Sequence, residues 1–421
     1  LVVAAGRRSV MGRGRAKKLP RPQAPAASSQ SFEQPRWTKR DIEASEGLEL
    51  GQIFGHQIVA SGDVLWCIGG FRPVEQVKIS LLALDLSSLR WKDLTPPTNA
   101  VAATWRWGQS ACVLGKQAGP RPSRVYDLVM LCGGFDRNCN HNEVWHFCPD
   151  SGAFSQPPDA LQRLPFHGAY HSLVHDTFSE EVYLFGGQRC VSGHYIYSNS
   201  VFVAQLHRHR CGWKELLTSG QKPQARGQHC AVITQSGMMI VYGGSHASAT
   251  LPDVWTLDVR KTPAIWAEVR PVNGSPCAPR RFLPRTFQVL STRSYMAAHS
   301  NSIMVAGEAE GCLALWVLHC GWWYQVPAAG APAWAGNFAA TMLAETQSVQ
   351  DRGKKLLAFG GEDSEGGGDN SLCRGGLWSL DLVLRPSAIL RRTLRRALQG
   401  SRALPDEAFE AILSFAMCHL L

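Results

Sequence analysis

Short apolar runs recur along the chain, at residues 65–70, 129–134, 182–187, 239–244, 303–307 and 356–361, and each ends in a glycine pair or a degenerate form of it. The runs are rich in β-branched and aromatic residues and only about five residues long, which predicts buried strands and excludes helices of ordinary length. A terminal Gly-Gly allows a sharp turn with positive φ and close approach to a neighbouring backbone. The first glycines stand at 69, 133, 186, 243 and 360, with Ala306 in the fifth copy. The spacings of 64, 53, 57, 63 and 54 residues define a repeat.

The flanking pattern repeats as well. After each pair come a variable loop and a second apolar run, at 82–86, 143–147, 200–203, 253–259, 313–318 and 377–382, three of them carrying Leu-Asp at Asp85, Asp258 and Asp381. An aromatic follows at a regular offset, Trp91, Phe154, Trp213, Trp266 and Trp323, where a large ring would pack between adjacent sheets. Before each pair lies another strand, entered through related phrases such as Gly55-His56, Arg106-Trp107-Gly108-Gln109, Gly168-Ala169-Tyr170-His171 and Arg226-Gly227-Gln228-His229. Four strands per unit predict six sheets within residues 37–382.

The glycine pair, the aromatic plus Asp of the third strand and the Trp of the fourth resemble the kelch repeat, whose period is about 50 residues. The resemblance covers about four-fifths of the chain and implies an all-β fold, a six-bladed kelch β-propeller. Two copies depart from it: Ala306-Gly307-Glu308 replaces the pair in the fifth, and Leu84 replaces the usual third-strand aromatic in the first. The sixth copy has no Trp after Asp381, whereas Arg36-Trp37-Thr38-Lys39 upstream repeats the form of Leu89-Arg90-Trp91-Lys92. The Trp37 segment is therefore expected to supply the missing strand, closing the propeller and protecting sheet edges. The expected division is a disordered basic tail over 1–35, the propeller over 36–384 and a short helical segment over 385–421.

Charge refines this picture. Seven basic residues and no acid occupy residues 1–21, six arginines against three acids follow from Arg385, and these two ends account for the whole net charge of +10. The propeller itself is neutral, so no nucleic-acid partner is expected. No run reaches the roughly 18 apolar residues of a membrane span, and no membrane partner is expected. The 13 cysteines include no CxxC pair, and their odd number points to a reducing cytoplasmic or nuclear setting. The Arg-rich, acid-free start also has the composition of an organelle transit peptide.

Candidate chemistry is sparse. Cys139, His141, His146 and Cys148 place four potential metal ligands within ten residues, but His146 and Cys148 are explained by strand alternation, and neither metal nor cofactor is expected. Tyr170-His171 is similar to the Tyr-His ligand pair of galactose oxidase, a kelch-like copper enzyme. The same position holds Gln228-His229 and Gly55-His56, which makes it a feature of the repeat, and no enzymatic activity is expected. Loops after the glycine pairs are the natural seat of recognition. There Arg72, Arg137 and Arg189 would clamp a carboxylate or acidic peptide, with His246 beside them, while Glu308, Glu362 and Asp363 occupy the opposite arc.

From Pro386 the period becomes helical. Leu390, Leu394 and Leu398 form a stripe opposite Arg391, Arg392, Arg395 and Arg396, and a second helix is expected from Leu404-Pro405 through Ile412 and Leu413. This segment resembles the opening of an F-box and, in its leucine-striped helix followed by Leu-Pro, the elongin-binding and cullin boxes of SOCS-type receptors, with Leu394 where that family usually has Cys. Either resemblance implies a partner of the elongin, Skp-like or cullin class, contacted through Leu390, Leu394, Leu398, Leu404, Pro405, Ile412 and Leu413. The expected function is a protein-interaction module, a ubiquitin-ligase substrate receptor holding a peptide on the propeller loops. The alternatives are a kelch scaffold or trafficking effector without a ligase link, and a galactose-oxidase-like enzyme.

Overall fold

The computed structural model describes residues 36–44, 53, 55–70, 81–95, 106–118, 125–136, 139–206, 212–234, 236–247, 249–270, 288–290, 302–309, 312–319, 322–326, 330, 336–343, 355–362 and 377–381. Arg72, Arg137, the tail over 1–35 and the segment carrying Leu390 to Leu413 lie outside them. The described residues all belong to the contact unit spanning Gln34–Leu421. Among the described residues strands dominate, and one helical turn, Asp159–Leu161, interrupts them. No helix among the described residues is long and apolar enough to cross a membrane.

Among the described residues six sheets of four or five strands, antiparallel but for one short parallel strand in two of them, follow one another along the chain, beside two small hairpins. The first runs from Gln57–Ser61 through Val64–Ile68 and Leu81–Asp85 to Arg90–Asp93. The second contains Ser110–Ala118, Val125–Cys132, Val144–Cys148 and Ala153–Ser155, and the third Ser172–Asp176, Glu181–Phe185, Val201–Gln205 and Lys214–Glu215. The fourth contains Cys230–Ile233, Met238–Tyr242, Val254–Asp258 and Ala264–Val269. Gln288–Leu290, Ser302–Ala309, Cys312–His319 and Trp322–Val326 make the fifth.

The sixth is assembled from both ends of the described chain. Gly336–Leu343, Lys355–Glu362 and Leu377–Asp381 are joined by Trp37–Arg40, which pairs antiparallel with Trp37 opposite Leu380 and Arg40 opposite Leu377. Immediately after it, Glu43–Ala44 runs parallel along the outer strand Arg90–Asp93 of the first sheet. Thr218–Ser219 does the same between the third and fourth sheets, pairing parallel with Ala264–Val269. One connection geometry thus serves an ordinary junction and the junction between the chain's two ends, and in both it covers an outer edge that would otherwise present unpaired backbone.

The innermost strands neighbour one another in order, from Gln57–Ser61 through Ser110–Ala118, Ser172–Asp176, Cys230–Ile233 and Gln288–Leu290 to Gly336–Leu343, which returns to Gln57–Ser61. The core lies between successive sheets. Trp91 and Trp266 are buried there, each against the preceding sheet: Trp91 meets Phe359 at 4.8 Å and Trp266 meets Phe185 at 5.2 Å between ring centroids. That is the inter-sheet role expected of the fourth-strand aromatics.

The glycine pairs owe their identity to the same contacts. The first glycine has φ near +65°, and a Cβ there would lie 2.5 Å from Gln109 Nε2 at Gly69, 2.6 Å from His171 Nε2 at Gly133 and 2.8 Å from His229 Cε1 at Gly186. Each of those side chains opens the next sheet's inner strand. The second glycine presses on its own sheet's inner strand, Gly187 against His171 and Gly244 against His229. Its N–H reaches across, Gly70 donating to Arg106 O, Gly134 to Gly168 O and Gly187 to Arg226 O, at 2.8–2.9 Å.

Candidate recognition face and its loop cluster

At the start of the inner strand, one residue in each of the first four sheets takes a left-handed conformation: Gly55 (φ +67°), Gly108 (φ +66°), Tyr170 (φ +56°) and Gln228 (φ +59°). A chain of backbone hydrogen bonds joins them, with Gly108 N–H donating to Gly55 O at 3.0 Å, Tyr170 to Gly108 O at 2.7 Å and Gln228 to Tyr170 O at 2.8 Å. The geometry suits glycine, so Tyr170 and Gln228 hold it at a steric cost. Beside this chain, the residue after each glycine pair exchanges backbone bonds with the residue before the left-handed position: Phe135 with Trp107, Gln188 with Ala169 and Ser245 with Gly227.

The side chains gathered there are largely aromatic and amide. Trp107, Phe135 and Tyr170 form a run with centroid separations of 6.4 and 5.7 Å. Ser245 Oγ donates to Gln228 Oε1 at 3.1 Å. From the third sheet a hairpin, Gln188–Val191 with His194–Tyr197, stands beside this face and exposes Val191, Tyr195 and Ile196.

Of the basic residues expected to clamp a ligand, Arg189 is exposed on that hairpin, whereas His246 bonds through Nδ1 to Ala225 O at 2.7 Å and packs on Tyr197. The structure brings these two to the same side of the molecule without a shared contact among the described residues. The histidines of the repeat phrase are internal. His171 Nδ1 meets Ser110 Oγ at 2.6 Å, and His229 Nε2 meets Ser172 Oγ at 2.9 Å, each reaching back to the preceding inner strand. Burial holds His56 and His171 far below the ordinary imidazole range, at about 4 and about 3, and lowers His229 well below it too. Tyr170 and His171, adjacent in sequence, therefore part: the tyrosine packs on Phe135 while the histidine is buried between sheets, and they do not converge as a metal-ligand pair.

Two arginines that sequence reading passed over are buried beneath the loops. Arg226 is fully buried, bidentate to Asp253 at 2.6 and 2.8 Å and bonded to Gly243 O. Arg106 repeats the arrangement with Glu143 at 2.9 Å and Gly133 O at 3.3 Å. Each arginine ties the glycine turn to the acid that opens the next strand, and the shared Arg at the head of both phrases was the available signal.

The four-residue ligand cluster divides. His146 lies on its strand with a pKa lowered to about 4 by burial, and Cys148 sits two residues further along that strand. Cys139 and His141 instead converge on Asp136, with donor atoms within 4.8 Å of one another. Desolvation and the neighbouring Asp136 carboxylate raise the Cys139 thiol. None of Cys67, Cys112, Cys132, Cys139, Cys148, Cys190 and Cys230 forms a disulfide.

Comparison with known proteins agrees with this architecture. The chain aligns with the Acyl-CoA-binding domain-containing protein 5 of Arabidopsis thaliana at 31% identity over 163 residues, 36% of this chain and 22% of that protein. The Acyl-CoA-binding domain-containing protein 4 of the same plant matches at 28% over 165 residues, with the same shares. The chain thus spans less than a quarter of the length of these relatives. Among solved structures, that of YjhT superposes with a TM-score of 0.51 at 12% identity, covering 78% of this chain and 94% of that one, a likeness of kelch-type propeller fold alone. The KLHDC2/KLHL20/DRC7 Kelch-repeats domain matches residues 121–349, more than half of the chain, and the chain belongs to that kelch-repeat family.

Proposed function

We propose that the protein is a non-enzymatic recognition module, a six-bladed kelch propeller that binds a peptide segment of a partner protein across the face formed by Trp107, Phe135, Tyr170, Gln188, Gln228 and the Gln188–Tyr197 hairpin. The observation that carries this reading is the left-handed backbone at Tyr170 and Gln228. Glycine fills the same position in the first two sheets at no steric cost, and strain kept in a side-chain-bearing residue is a mark of functional sites. Arg189, exposed beside this face, suits an acidic residue in the peptide.

Residues 386–421 would then join the module to a ligase scaffold of the elongin, Skp-like or cullin class, making it a substrate receptor in a reducing cytoplasmic or nuclear compartment. Affinity capture with the full chain and with Tyr170→Gly tests the first part: glycine relieves the backbone and removes the ring, so partners should be lost while thermal stability holds or rises. Unchanged capture would sink it. For the second part, Leu390→Asp with Leu394→Asp should release any ligase subunit without altering the melting temperature.

A further inference from the structure

We infer that Asp136, Cys139 and His141 form a binding site for a divalent ion of the zinc class, three protein donors with a fourth position open to solvent. Two of the three donor separations are close to those such an ion imposes, and all three donor atoms lie within 4.8 Å of one another. With bond lengths of about 2.3 Å to sulfur and about 2.0–2.1 Å to nitrogen and oxygen, tetrahedral angles place S and N about 3.6 Å apart and N and O about 3.3 Å apart. Here Cys139 Sγ is 3.6 Å from His141 Nε2, and His141 Nε2 is 3.0 Å from Asp136 Oδ2.

The surroundings supply what a metal histidine needs. The other ring nitrogen, His141 Nδ1, lies 3.3 Å from Glu143 Oε2, the outer carboxylate that fixes ring orientation and strengthens the nitrogen facing the ion. Glu143 is itself held by buried Arg106 at 2.9 Å, so its charge is balanced independently. An ion of charge +2 would be neutralised by the Asp136 carboxylate and the Cys139 thiolate, the thiol proton passing to solvent on binding. Entry is open, because Cys139 is exposed.

The backbone is organised for it as well. Cys139 N–H donates to Asp136 Oδ1 at 2.8 Å, which leaves Oδ2 for His141. Between the two ligands Asn140 bonds both backbone groups of Cys190, donating to its carbonyl at 2.8 Å and accepting from its N–H at 3.1 Å, and so anchors the loop to the third-sheet hairpin.

Cobalt(II) titration of the reduced full chain reads the site directly through the near-ultraviolet thiolate-to-cobalt band. The expected result is a band saturating at one equivalent, absent in Cys139→Ser, weakened at least tenfold in affinity in His141→Ala and unchanged in Cys148→Ser, with far-ultraviolet circular dichroism confirming that each variant folds. X-ray absorption of the zinc-loaded wild-type chain gives a second reading that needs no variant: one sulfur and one imidazole with oxygen completing the shell. No band at one equivalent, a band that survives Cys139→Ser, or a zinc shell without sulfur overturns the proposal.

Discussion

The second strands of the fourth and fifth sheets are both apolar runs but end differently: Tyr242 is followed by Gly243-Gly244, whereas Val305 is followed by Ala306-Gly307. In the fourth, pairing between second and third strands stops at Tyr242 opposite Val254, immediately before the pair. The first, second, third and sixth sheets stop at the same point, at Ile68, Cys132, Phe185 and Phe359. In the fifth the ladder continues through Ala306, Gly307, Glu308 and Ala309, and only Glu310 and Gly311 separate its strands. The glycine pair thus marks where the second strand leaves its third-strand partner and releases chain to the loops, even in the sixth sheet, where Lys355–Glu362 runs on through Gly360-Gly361 beside the inner strand. Where it is lost, that pairing simply runs on and the sheet contributes no long loop.

The contrast can be broken at several strengths. The largest effect is expected from Asp253→Ala, which strips the partner from the fully buried Arg226 guanidinium at the foot of the fourth-sheet loop. Leaving such a charge uncompensated should cost about 3–5 kcal/mol, measured as a fall in the urea midpoint at unchanged slope.

Gly244→Ala comes next. At φ +97° its Cβ would lie 2.7 Å from Gly227 O and 2.8 Å from His229 Cβ, and strain plus overlap should cost about 2–4 kcal/mol. The reciprocal change Ala306→Gly, in a strand that runs on, should cost about 1 kcal/mol or less. Equal costs for the two would refute the account of the pair.

A third test uses the histidines beneath the first glycines. His171 is neutral when folded, with a pKa of about 3, while in the unfolded chain it takes up a proton near pH 6.5. Between those values the unfolded state binds more protons, so stability is full above about pH 6.5 and is lost as pH falls, by at most about 1.4 kcal/mol per pH unit for each such histidine. His171→Gln, which copies Gln109 of the second sheet, should flatten that slope in acid denaturation curves. The smallest effect is expected from Arg90→Ala: its pair with Glu43 at 2.7 Å is largely solvated on both sides, and its loss should cost below about 1 kcal/mol.

Much of the architecture was legible because the repeat writes it six times. Five-residue apolar runs, glycine pairs and offset aromatics identify strands and their order, and the resemblance of the Trp37 phrase to the Trp91 phrase pointed to the strand that pairs with Leu377–Asp381. Less of the recognition face could be read. The left-handed Tyr170 and Gln228 become conspicuous only when set against Gly55 and Gly108, since their identity alone does not announce a backbone conformation. The burial of Arg106 and Arg226 was hidden for a related reason. Arginine beside a loop normally signals a solvated charge, and its acidic partner stands 27 residues away at Asp253. Asp136 was missed as a companion of Cys139 and His141 because the run of Cys and His ligand types favoured His146 and Cys148, which the strand carries off.

The pairing of Trp37 with Leu380 also has a bearing on how the molecule comes into being. Every other sheet joins segments that are near neighbours in the chain, and each can begin to form as soon as it leaves the ribosome. The sixth cannot be completed until nearly the whole described chain has been synthesised, because its outer strand is made first and its partner last. Throughout that interval the Trp37 strand has no mate and the first sheet's neighbour is missing. Bringing such distant residues together is slow on entropic grounds, so chaperone dependence and sensitivity to premature termination should concentrate at this one seam.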